Sequence, residues 1–328
     1  MNQKKQTKPR KPQPKASKSK PRTINQVRVV RQPRAQAYTK ADVERVCGLN
    51  DPFCPAARGA KYNDMSNSRT LSYQTHFRQT LVVNGTGSAA TLFLPNYTYL
   101  PQAAASTTGT VSGFAAPLLV NPNIISAPAA YRITSYGVIL RTTLPKLTAQ
   151  GMVRIRTFSP KNGAALGTID FATYNCDSYM DVPLANLTEL SVRATRLDNT
   201  ATFMRDPLET TPSTTPTAWV APGWTCFVVG VDGAPASAVA LDMEIFINYE
   251  INLADDNVMA QMATSAPVDQ PYITSAINEV SSEGINIVVG GAKEFAKNVV
   301  SSAARALVRA GTTYFGGGLA AGASMLLT

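Results

Sequence analysis

The chain has 328 residues and a net charge of +10, yet only 16% of its residues are charged. Thirteen of its 31 bases fall in the first 40 residues, which hold no acid, so the remainder carries 18 bases against 21 acids. One histidine and four cysteines leave a zinc site short of ligands and exclude a disulfide-built scaffold.

The first expected element is an arm, residues 1–45, opening MNQKKQTKPRKPQPKASKSKPR. Pro9, Pro12, Pro14, Pro21 and Pro33, with no aromatic before Tyr38, leave it too little apolar surface to offset the entropy of ordering. A disordered polycation follows. Lys4, Lys5, Lys8, Arg10, Lys11, Lys15, Lys18, Lys20, Arg22, Arg28, Arg31 and Arg34 are its candidate RNA-binding residues. A localisation signal or a solubilising tail is the alternative, but thirteen charges exceed a short import signal. Lacking aromatics to stack on bases, the arm is expected to neutralise phosphates without reading sequence. The basic start has no apolar run after it, so no secretory signal is expected, and the sequons at Asn84, Asn96 and Asn186 are expected to be chance. A reducing compartment fits the low cysteine count. Cys47 and Cys54 either stay packed thiols or close a small loop.

The body, residues 46–253, reads as β-structure. In SYQTHFRQTLVV, Tyr73, Phe77, Leu81 and Val83 share one face, while Gln74, His76 and Arg78 share the other. Further strands are expected at 91–94, 131–144, 152–158, 190–196, about 200–205, and 225–231. In AVALDMEIFINYEINL, Leu241, Met243, Ile245, Ile247, Tyr249, Ile251 and Leu253 alternate with polar residues, which predicts a long strand with one buried face. Turn-rich stretches such as NGTGS and SPKNGAALG separate the strands. Eight strands without βαβ alternation argue for an all-β domain, a single eight-stranded antiparallel jelly roll.

Residues 254–283 read as a polar linker. In GGAKEFAKNVVSSAARALVRAG, Phe295, Val299, Ala303 and Leu307 recur at four-residue steps opposite Lys293, Lys297, Arg305 and Arg309. This predicts a basic amphipathic helix over about 291–309, followed by an uncharged tail to residue 328. Lys293, Phe295, Lys297, Val299, Arg305, Leu307 and Arg309 are candidate membrane contacts, the bases meeting anionic headgroups and the apolar side chains entering the acyl boundary. The competing expectation is an internal helix with its apolar face on the body and its basic face on RNA.

No motif points to an enzyme. Gly85-x-Gly87-x-x-Ala90 follows a strand, but strand-like TLFLP comes next instead of the helix that a dinucleotide site needs, so a tight turn is expected. His76 lies on a polar strand face with no nucleophile suggested nearby, so a surface or interface histidine is expected. Asp170, Asp177 and Asp181 are candidate ligands for calcium between subunits, against a plainer reading as solvated or capping acids.

VCGLNDPFCPAARGAKYNDMSNSRTLSYQ resembles the arm-to-shell junction in coat proteins of small icosahedral positive-strand RNA viruses, the nodavirus-like and tombusvirus-like group. YRITSYGVILRTT resembles their central strand and LDMEIFINYEIN their closing strand. The resemblance implies a virion protein, made in the host cytoplasm, that self-assembles into an icosahedral shell of about 180 copies, a T=3 lattice, around viral single-stranded RNA. A host membrane is the expected partner of residues 284–328, on the pairing of the amphipathic helix with its uncharged tail. In the nodavirus-like coats a C-terminal peptide is released at an Asn-Ala junction, and no Asn-Ala follows Leu253 here. A non-viral nucleic-acid-compacting protein with a β-sandwich body is the alternative, and a lectin-like binding module with a basic tail a third.

Overall fold

Long runs of alternating apolar and polar residues turn this chain into paired sheets. The structure, a computed structural model, describes residues 38–62, 69–93, 95, 102–104, 108–110, 128–159, 168–170, 176–204, 223–253, 258–265, 267, 270–283 and 286–315. In chain order these are helix α1 (Lys40–Gly48), then β1 (Arg69–Val82), β2 (Ala89–Phe93), β3 (Gln102–Ala104), β4 (Thr108–Thr110), β5 (Pro128–Thr142) and β6 (Met152–Phe158). There follow β7 (Thr168–Asp170), β8 (Ser178–Pro183), β9 (Leu190–Arg193), β10 (Cys226–Asp232), β11 (Val239–Leu253) and β12 (Thr264–Ser265). Helix α2 (Pro271–Ser282), β13 (Ile287–Val289) and helix α3 (Gly291–Phe315) close the chain.

All strand pairs among the described residues are antiparallel. One sheet has six strands in the order β12-β1-β11-β5-β9-β13, a second has five in the order β3-β2-β10-β6-β8, and β4 pairs with β7. The strand count therefore exceeds the eight expected. Seven of the eight expected segments are strands; the eighth, at about 200–205, contains a 3-10 turn, Asn199–Thr202. In its place β8 forms the edge of the five-stranded sheet. Met180 and Val182 of β8 pack on the core while Tyr179 and Asp181 face out, an alternation masked in the sequence by its acids.

The main core fills the space between the sheets. Met243, Ile245, Ile247, Tyr249 and Ile251 of β11 join Phe227, Val229 and Val231 of β10, Val153 and Ile155 of β6 and Leu81 of β1. Phe227 stacks on Phe93 at 4.8 Å between centroids and leans against Tyr136 at 5.9 Å. Two short connections, 83–88 and 233–238, are tied together at one end: the N–H groups of Val83, Ala234 and Ser237 donate to the carbonyls of Ala238, Gly87 and Asn84. Asn84 Oδ1 accepts from the backbone N–H of Thr86 and Ser88 at 2.9 Å each, which confirms the turn reading of that glycine-rich stretch. Gly87 stands at φ 76°, where an added Cβ would strike the Ala234 carbonyl.

A second core lies on the outer face of the six-stranded sheet; the sequence reading anticipated only the packing of α3 on the body, as its competing expectation. Val46, Cys47 and Leu49 from α1, Ile273, Ala276, Ile277 and Val280 from α2, and Phe295, Val299, Ala303, Ala306, Leu307 and Ala310 from α3 form one cluster. Two of its helices fall in stretches read as arm and linker. Thr39 and Asp42 form a capping box for α1, each side chain bonding the other's backbone N–H. Proline at the first position starts α2.

The helical layer as candidate functional site

The layer takes in the first described residue, Tyr38, which packs against the helical cluster. It is also where the sequence-predicted membrane residues fall. The structure separates them into two sets. Phe295, Val299 and Leu307 are almost fully buried against the neighbouring helices, while Lys293, Lys297, Arg305 and Arg309 are exposed. Three of those four bases are already matched with acids: Lys297 with Glu294 at 3.7 Å, Arg305 with Glu283 at 3.8 Å and Arg309 with Glu279 at 2.6 Å. The layer is thus far less cationic than the arm. Among the described residues no helix is long and apolar enough to cross a membrane. All twelve candidate RNA-binding residues, and the tail from 316 to 328, lie outside the described residues.

What holds the layer to the sheet is polar, and the sequence did not mark it. Glu250 on β11 is 0% exposed and Arg132 on β5 is 5% exposed; Arg132 Nε donates to Glu250 Oε2 at 2.8 Å. Glu250 also accepts from the Thr70 hydroxyl at 2.6 Å and from the Tyr62 N–H at 3.2 Å. The Tyr62 ring is flanked by the guanidinium groups of Arg132 and Arg196, each 5.2 Å from its centroid. Lys61 Nζ reaches the Thr70 carbonyl and both oxygens of Thr264. Burial depresses the Lys61 pKa, partly offset by Glu250.

Arg193 on β9, 2% exposed, clasps the helices from below. Its Nη1 donates to the Asn50 carbonyl, its Nη2 to the Val280 carbonyl at 3.2 Å, and its guanidinium lies 5.6 Å from the Phe295 ring. Burial pulls its pKa down to about 10, with Asp51 acting in the opposite sense. Asp51, 1% exposed, accepts from the Phe53 N–H at 2.9 Å through Oδ1, while Oδ2 has no hydrogen-bond partner. Burial raises the Asp51 carboxyl to about 6, against the opposing pull of the Phe53 N–H and Arg193. The segment between α1 and β1 presses so closely on β5 that a Cβ at Gly137 would overlap Pro52 and Phe53 at 2.6 and 2.8 Å.

The start of α3 is fastened separately. Glu189, just before β9, accepts the Ala292 N–H through Oε1 at 2.9 Å and the Gly290 N–H through its backbone carbonyl at 3.0 Å. Its Oε2 accepts from Arg141 Nε at 3.0 Å. Arg141 Nη1 donates to Glu244 Oε2 at 2.6 Å, and Glu244 Oε1 meets His76 Nε2 at 2.7 Å. His76 is thus placed on the outer sheet face, as expected, and stacked on Phe246 at 4.5 Å.

The other candidates are dispersed. Asp181 pairs with Arg156 at 2.5 Å and Asp177 accepts from the Ser159 hydroxyl at 2.6 Å, while the side chain of Asp170 lies outside the described residues. Among the described residues no three His, Cys, Asp or Glu side chains gather as a metal site would need. Cys47, Cys54, Cys176 and Cys226 are free thiols, and burial pushes Cys47 up to about 12. A cavity of about 320 Å³ opens between Tyr62, Arg196, Phe203 and α2.

No family model matches this chain, and no curated protein matches it in sequence. Solved structures do. The protein in the T13 particle of infectious bursal disease virus aligns at TM-score 0.55 with 9% identity, over 80% of this chain and 98% of that one. T=1 particles derived from the same virus give TM-score 0.51 with 9% identity, over 78% and 95%. A structure from Cucumber Leaf Spot Virus gives 0.37 with 13% identity over 57% of this chain and 58% of that one, too slight a likeness to carry an argument. At such identities the shared property is the fold: an antiparallel β-sandwich of the kind found in viral capsid proteins. Membership of the nodavirus-like or tombusvirus-like group does not follow from it.

Proposed function

We propose that this chain is the coat protein of a small RNA virus, that it assembles with copies of itself into a closed icosahedral shell, and that the basic residues ahead of α1, Lys4 to Arg34, hold the viral single-stranded RNA. The observation that carries this reading is the likeness, over most of both chains, to a protein that builds a virus particle. The order β1-β11-β5-β9 in one sheet and β2-β10-β6-β8 in the other supports a jelly roll of eight principal strands, widened at its edges by β3, β12 and β13. The arm supports the RNA partner, because a polycation without aromatic residues binds by counterion release. Virion location, assembly in host cytoplasm and about 180 copies are the corresponding expectations. Purifying the chain after expression, with nuclease treatment and extraction of what is protected, tests the reading. Protected RNA inside uniform particles is the expected result; irregular nucleoprotein would favour a non-viral compacting protein.

Action of residues 284–328 on a host membrane belongs to the same proposal, with one condition set by the layer. Phe295, Val299 and Leu307 are already buried, so α3 must leave α1 and α2 before they can meet lipid. Their burial is worth roughly 2 kcal/mol each, and insertion into the acyl boundary returns a similar amount. The apolar exchange is close to balanced. The polar contacts that fasten α3 then decide whether it moves.

A further inference from the structure

We propose that Glu189 is the latch that fastens α3 to the sandwich, and that mild acid tightens the helical layer instead of opening it. This rests, for its biological use, on the reading that α3 is released toward a membrane; the latch itself stands on geometry. Glu189 is the one contact among the described residues that joins the first turn of α3 to a sheet ion pair. Its carboxylate sits at the positive end of a 25-residue helix, where a negative charge is favoured, and bonds the Ala292 N–H directly. Gly291 stands at φ 75°, and a Cβ there would fall 1.7 Å from Glu189 Oε1. The glycine pair 290–291 is therefore what lets α3 seat on this carboxylate.

The sign of the pH response follows from Asp51, the buried carboxyl of the layer. It is faced by Arg193 from β9, with the Cys47 and Cys54 thiols and Glu44 nearby on its own segment. Its unpaired Oδ2 is costly to bury as an anion and much less so as an acid. Burial raises its pKa to about 6, so protonation in mild acid relieves that cost. The sheet end of the latch does not oppose this: Arg141 and His76 hold Glu244 below the ordinary carboxylate range despite its partial burial, so mild acid leaves it charged.

Hydrogen exchange of the full chain, corrected for the intrinsic pH dependence of exchange, tests this. Protection of the α3 amides is expected to rise about fourfold between pH 7.5 and 5.5. Glu189→Gln is expected to lower it at both values. Asp51→Asn is expected to remove the rise; the comparison of Glu189→Gln with the parent at both pH values carries the test should that variant fail to fold. Protection that stays level or falls on acidification, or a Glu189→Gln variant that exchanges like the parent, overturns the proposal. Dye release from anionic liposomes at both pH values separates the readings: absence of release with the expected exchange pattern counts against the membrane role and leaves the latch intact.

Discussion

Glu250 ties three separate segments together on the outer sheet face. It is enclosed completely and satisfies Arg132, Thr70 and the Tyr62 N–H together. Glu250→Ala strands a buried guanidinium, and breaking such a pair costs about 3–5 kcal/mol. Urea unfolding is expected to show that loss, whereas Arg78→Ala, at an exposed pair with Asp242, is expected to change stability by under about 1 kcal/mol. Asp51 gives a pH signature of the opposite kind to most acids. Its folded pKa, about 6, lies above the ordinary 3.8, so the native state binds the extra proton between those values. The stability this proton brings is fully present below about pH 4 and is lost as pH rises through about 6. Asp51→Asn is expected to flatten the stability profile across that window while leaving the remainder of the profile unchanged. Neither charge was legible in the sequence. Alternation told that Glu250 faces away from Ile251, and it told nothing of what lies over that face.

At the scale of elements, the long strands were legible because their chemistry is local. Tyr73, Phe77 and Leu81 on one side of β1, and Ile245, Ile247 and Ile251 on one side of β11, face the core where period two placed them. Ile245→Asp is expected to prevent folding, read by loss of soluble, cooperatively melting protein, because it buries an unpaired charge. The helices over residues 40–48 and 271–282 were written in the sequence but outweighed by composition. Thr39 with Asp42 is a capping box, and Ile273, Ala276, Ile277 and Val280 recur at helical spacing. Basic and polar surroundings hid both. The burial of α3 was the competing expectation, and the pattern could not choose it, since an amphipathic helix has the same pattern whether its apolar face meets lipid or protein. Phe295→Glu distinguishes the two: placed among Phe53, Arg193 and α1, it is expected to loosen the layer and expose Cys47 to thiol reagents. Unchanged Cys47 reactivity would contradict the packing described for α3.

At the scale of the molecule, the design divides charge from shape. The sandwich with its helical cover is close to neutral, and the first 40 residues hold thirteen bases without an acid. A body with so few charges suits burial of much of its surface between copies, and the arm supplies the cations an RNA core needs. Deleting residues 1–32 removes eleven of the thirteen bases. RNA binding is expected to collapse and its salt dependence to flatten, while the sandwich melts as before, since the residues described in both cores all follow residue 37. The central claim, that this fold closes on copies of itself, is tested most directly by electron microscopy of the purified full-length chain with its co-purifying nucleic acid. Uniform, closed, hollow-rimmed particles of one or a few discrete diameters are the predicted result. Monomers, or irregular nucleoprotein of continuous size range, at the same protein and salt concentrations would contradict it.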